Sequence, residues 1–412
     1  MTQKCIAKEI HFLKKGSKDD QIHPPQTYFS DLIHTPGVQY KAFEDRLNQI
    51  PPKNGLICAI VQIDVDAGET VKKKARDSFE ACFNSILDKA SSQNRGLWEA
   101  LDETAFALAF WDYDREKDGL RLLTLLRDKI SKQLETRILM GTASFPCHDF
   151  SWDATLPNAL KAIDHAAFFG PGHMIHFDAV SLNISGDRRF QLEQYEQALA
   201  DFQAGLAISP KDINLINSLG VTHGIMGNLD KALEFFESAS AINPKEVMVV
   251  YNIGLIHRIN EKNEKAVFYL KKAHGISPEV FEIELLLGHL LYKQAQPDQA
   301  LVHIEAACRL KPDAGTPFRI KGQILLDRED AVGAGAAFNS AVKFSPADAA
   351  ALSGYAKAMA LQEKNLTIAL SFAQKSLGLD PDNPLYKERL EEIRELTAQA
   401  QDAGRGNAIK SA

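Results

Sequence analysis

Two hydrophobic patterns divide the chain. From residue 179 onward, apolar residues recur at helical spacing in short runs, each closed by a proline. The prolines are Pro210, Pro244, Pro278, Pro312, Pro346 and Pro381, at spacings of 34, 34, 34, 34 and 35. Twelve residues before each stands an alanine: Ala198, Ala232, Ala266, Ala300, Ala334 and Ala369. Ten residues after five of them stands Gly220, Gly254, Gly288, Gly322 or Ala356, and Gly186 fits the same frame. A helix pair can pack closely where its contact points carry small side chains, and a proline ends the second helix. The pattern predicts six helix pairs. Before residue 178 the pattern changes. GLICAIVQI at 55–63 reads as a buried strand, followed by a helical run and a hairpin around Asp102-Glu103. LRLLTLLRDKISKQL reads as a helix, ETRILMGTASFP as a strand, LPNALKAIDHAAF as a helix and GHMIHFD as a last strand. This alternation predicts an α/β sandwich.

Composition narrows the class. Lys plus Arg number 47 and Asp plus Glu 54, a net charge of −7 in 412 residues. That balance argues against a nucleic-acid partner bound through phosphates. The five cysteines are scattered, with no CxxC pair, and read as reduced thiols. No apolar run reaches the roughly 20 residues of a membrane span, and charges interrupt the first residues where a signal peptide is apolar. The expected setting is cytoplasmic, with no membrane partner, no metal and no cofactor.

The repeated residues resemble the tetratricopeptide repeat (TPR) family. The likeness covers units at 179–212, 213–246, 247–280, 281–314, 315–348 and 349–383. Asp187-Arg188-Arg189 makes the first unit polar, which suits an end of a stack. Residues 384–402 read as a capping helix with Leu390, Ile393 and Leu396 on its apolar side, and 403–412 as a disordered tail. Stacked repeats leave a concave face lined by their first helices. The residues expected there include Asn214, Asn217, Tyr251, Arg258, His289, Tyr292, Arg319, Gln323 and Lys357. The resemblance adds Asn252, where peptide-binding members hold ligand backbone. Amides, rings and an excess of positive charge on this face point to a protein or peptide ligand of acidic character.

The first half resembles the GGDEF (diguanylate cyclase) family over about 28–178. The likeness rests on HTPGVQYKAFEDRL at 34–47, QIDVD at 62–66, ILMGTASFP at 138–146 and ALKAIDHAAFFGPGHMIHFD at 159–178. It implies a sheet with flanking helices and a vestigial nucleotide or metal site at Asp64, Asp66, Asp102 and Glu103. Such enzymes need acids to hold two metal ions and a glycine hairpin that lets backbone approach phosphate. Here the hairpin reads Asp102-Glu103-Thr104-Ala105-Phe106, without glycine, so a non-enzyme is expected.

The sequence therefore predicts an N-terminal extension (1–27), a degenerate GGDEF-like α/β domain (28–178), six TPR units (179–383), a cap (384–402) and a tail. The expected function is a non-catalytic adaptor or scaffold in bacterial signalling or assembly, gripping a partner peptide or helix. The α/β domain supplies a second docking surface or a homodimer contact. The alternative is a sensor in which that domain binds GTP or a cyclic dinucleotide and modulates the groove.

Overall fold

The computed structural model describes residue 25 and residues 28–50, 55–64, 69–87, 95–112 and 116–410. Asp66 and nearly all of the expected N-terminal extension lie outside these residues. The chain forms two compact units that part between Ile242 and Asn243.

In the first unit, alternation along the strands sends side chains to two faces of one sheet. Strands β1 (Leu56–Ile63), β2 (Arg95–Ala100), β3 (Ala105–Trp111), β4 (Ile138–Phe145) and β5 (Met174–His176) lie in the order β2-β3-β1-β4-β5. All neighbours are antiparallel except β4 and β5, which run parallel. Helices α1 (Phe29–Leu32), α2 (Tyr40–Asn48) and α5 (Thr155–Ala167) cover one face, where Leu56, Cys58 and Ile60 meet Phe43, Leu47 and Ile163. Helices α3 (Glu69–Leu87) and α4 (Glu116–Leu134) cover the other, where Ile57, Ala59 and Val61 meet Phe79, Phe83 and Leu126. Gly141 makes the α5 layer fit: a Cβ there would lie 2.0 Å from the Ile163 nitrogen.

Two helix pairs complete this unit: α6 (Ala179–Gln191) with α7 (Tyr195–Ile208), and α8 (Ile213–Ile225) with α9 (Leu229–Ile242). The expected domain boundary at residue 178 is no break in packing. Asp178 caps α6 by accepting from the Ser181 amide at 2.8 Å, and Leu182 belongs to the α/β core.

The second unit holds the remaining pairs. They are α10 (Val247–Ile259) with α11 (Asn263–Ile276), α12 (Phe281–Lys293) with α13 (Pro297–Leu310), α14 (Gly315–Asp327) with α15 (Ala331–Phe344), and α16 (Ala349–Leu361) with α17 (Leu366–Leu379). The register glycines receive large side chains from the paired helix. A Cβ on Gly288 would lie 2.7 Å from Ile304, and one on Gly322 2.8 Å from Phe338. The last helix, α18, spans Pro384–Lys410 and buries Leu390 and Ile393 against Ala369 and Ala373. It runs past residue 402, so 403–410, expected as disordered tail, are helical backbone; no proline interrupts the stretch. No helix among the described residues is long and apolar enough to cross a membrane.

Candidate functional site

Of the expected vestigial acids, Asp64 and Asp102 have ordinary structural partners. Asp102 Oδ1 accepts from the Thr104 and Ala105 amides, at 2.7 Å each. Its carboxylate closes its own hairpin turn, as short acidic side chains do. Glu103 is exposed, and Asp64 pairs with Arg137 at 3.0 Å. A cavity of about 60 Å³ lies beside Asp64, lined by Gln62, Ile63, Leu139 and Pro171. Small-molecule sites usually measure roughly 300 Å³ or more. His173 and His176 have separate partners, the Gly170 carbonyl and Thr142 Oγ1 respectively, as side chains on opposite strand faces should.

The expected binding face divides by unit and by repeat. In the first unit Asn214 is exposed, but Asn217 is fully buried. In the second unit, Tyr251 and Asn252 of α10 are buried too, which removes them, with Asn217, from a face open to a ligand. The repeat register places these residues on first helices, and the neighbouring helices decide which of them are buried. In α12 and α14 the face is open. Leu285, His289, Tyr292, Arg319, Gln323 and Leu326 are all half-buried. Tyr292 donates its hydroxyl to Asp327 Oδ2, and Gln323 Nε2 donates to Asp327 Oδ1 at 2.6 Å. Arg319 pairs with Asp348 at 3.0 Å, and Lys357 pairs with Glu392 of α18. These acids were absent from the expected set and offset much of its positive charge. Positive character persists around His289. Burial pushes its imidazole down to about 4, with Lys293, Arg258 and Arg319 adding to the effect.

One side-chain cluster escaped the sequence reading. Glu284 on α12 is 1% exposed and lies between His274 of α11 and His303 of α13. Its Oε1 is 2.5 Å from His274 Nδ1, and its Oε2 is 2.7 Å from His303 Nδ1. Burial pushes the Glu284 carboxyl up, but the bonds from His303 and His274 hold it below its usual range. The cluster spans three helices, so no short motif announces it.

A tetratricopeptide repeat family model matches residues 285–349, and a second matches 213–246 and 249–280. No curated protein matches the chain. Among solved structures, the chain is similar to YrrB, described as a TPR protein with an unusual peptide-binding site. The identity is 21% over 45% of this chain and 96% of that one, with a TM-score of 0.41. It is also similar to Pseudomonas aeruginosa pilF, at 20% identity over 52% of this chain and 97% of that one, TM-score 0.48. A third is TTC0263, a thermophilic TPR protein from Thermus thermophilus, at 21% identity over 44% and 98%, TM-score 0.35. The helix pairs within residues 213–280 and 285–349 thus match tetratricopeptide repeats, and such repeats suggest a protein–protein interaction adaptor.

Proposed function

We propose that the chain is a non-catalytic adaptor that docks an extended or helical segment of a partner protein on the first helices of its fourth and fifth repeats. One observation carries the reading: the α12 and α14 face is open, whereas Met248, Tyr251 and Leu255 at the same positions of α10 are buried. This open face offers Leu285 and Leu326 as apolar area, with the Tyr292–Asp327–Gln323 group for backbone hydrogen bonds. An acidic partner segment suits Arg258 and Lys293 beside His289, since Arg319 and Lys357 are already paired.

The α/β layer reads as a GGDEF-like domain without turnover, and its element order supports that likeness. Asp102 is committed to its turn and Asp64 to Arg137, which favours an inert scaffold over a nucleotide sensor. Affinity capture with the full chain tests the reading. Tyr292→Ala with Arg258→Glu should lose the captured partner, and Phe268→Ala, on an exposed second-helix site, should keep it. Retention of every partner by the double variant would overturn it. Heat on titration with GTP or cyclic di-GMP would favour the sensor instead.

A further inference from the structure

The repeat register exposes an anomaly. Four residues before the reference small residue of each first helix stand Leu182, Ile216, Val250, Glu284, Phe318 and Leu352. Five of the six are apolar, as a position turned into the helix stack requires. The fourth is a glutamate with 1% exposure. A lone carboxylate there carries a heavy desolvation cost unless paired. Its two partners also depart from their own columns. His274 shares its position with Leu206, Ser240, Cys308, Val342 and Leu377. His303 shares its position with Asp201, Phe235, Tyr269, Ala337 and Phe372. Three departures on three helices converge at one point.

We infer that His274, Glu284 and His303 form a binding site for a divalent transition-metal ion of the zinc class. The three ligand atoms, one from each residue, lie within 4.8 Å of one another. Two imidazole nitrogens and one carboxylate oxygen suit Zn²⁺, Co²⁺ or Ni²⁺ better than the hard cations, which prefer all-oxygen shells. A carboxylate only accepts, so in the ion-free protein each Nδ1 carries the hydrogen and donates to one oxygen. On binding, the ion takes the Nδ1 lone pairs and each ring proton sits on Nε2 instead. Neutral imidazoles make this change without net proton release; an imidazolium must give up its proton first. His274 is 37% exposed and opens the path by which the ion enters. Water completes the coordination. The ion would tie α11 to α12 and α13, and so staple the third repeat to the fourth. This inference stands apart from the docking reading, because it uses no residue of the open face.

The test uses the full-length chain, stripped with chelator and titrated with Zn²⁺ in a calorimeter at neutral pH. Co²⁺ absorption in the visible provides a second readout. The chain should bind one Zn²⁺ tightly, and the Co²⁺ complex should show the intense bands of a four-coordinate site. Glu284→Gln and His303→Ala should each weaken binding about tenfold or more. Far-UV circular dichroism of the ion-free variants controls for folding. Should Glu284→Gln misfold, His274→Ala removes a half-exposed ligand and should show the same loss. Absence of heat at about 100 µM Zn²⁺, or identical isotherms for wild type and all variants, would leave the cluster as a hydrogen-bonded buried carboxylate and sink the proposal.

Discussion

Asp164 shows how one side chain holds a chain segment in place. It is 3% exposed on α5, and its Oδ1 accepts from the amides of Phe29 at 2.5 Å and Ser30 at 3.3 Å. Those amides open α1, where helical N–H groups have no backbone partner. Burial pushes the carboxyl up to about 6, against the lowering effect of these bonds. The folded pKa therefore lies above the unfolded value of 3.8. Stability from this group is fully present below about pH 4 and is lost as pH rises through about 6. Asp164→Asn keeps an accepting oxygen without the charge. We predict that the variant gains stability relative to wild type between acid and neutral pH, by on the order of 2–3 kcal/mol. The tryptophans, Trp98, Trp111 and Trp152, all lie in the first unit, so their fluorescence in urea reads this unit alone. A difference that does not change with pH would reject the prediction. The sequence showed Asp164 in a helix; the amides it serves, more than 130 residues earlier, were invisible there.

At the scale of elements, α6 carries the sharpest revision. Asp187-Arg188-Arg189 suggested the solvated face of an end repeat. Instead Arg188 pairs with Asp31 at 2.6 Å and lies over the Tyr28 ring. Arg189 reaches Asp201 of α7 at 3.2 Å, and Lys161 of α5 reaches the same carboxylate at 3.0 Å. Ser185 donates to it as well, at 2.7 Å. Asp201 is 4% exposed, so its charge depends on these partners. The polar residues join the first repeat to the α/β layer. Asp201→Ala would leave Lys161 and Arg189 without their shared acid. We predict a loss of about 3 kcal/mol in urea unfolding followed by tryptophan fluorescence. A loss below about 0.5 kcal/mol, typical of surface changes, would contradict it. Charge signs were readable from the sequence, but solvent and a facing helix look alike in one dimension.

For the whole molecule, the boundary in the contacts differs from the boundary in the patterns. The patterns change at residue 178, whereas the compact units part between Ile242 and Asn243. Leu182, Ala204 and Ile208 of the first pair pack on the α/β core, which explains why the first repeats stay with it. We predict that a chain cut after Ile242 unfolds cooperatively in urea. A chain cut after Asp178 should bind a hydrophobic dye and aggregate, because it strips cover from that core. Equal cooperativity of the two fragments would show that the pattern change at 178 marks the true boundary.

The sequence by itself determined the helix pairs, their 34-residue period, the order of strands and helices before them, and a hairpin without glycine. Each is written in local spacing, where backbone periodicity and turn chemistry act over a few residues. Tertiary structure alone decided that Asn217, Tyr251 and Asn252 are buried while Tyr292 and Gln323 stay open. It also assigned acids to Arg319 and Lys357, and brought His274 and His303 to Glu284. Burial and pairing depend on which helices meet and at what distance. That information belongs to contacts between segments, and no single segment carries it.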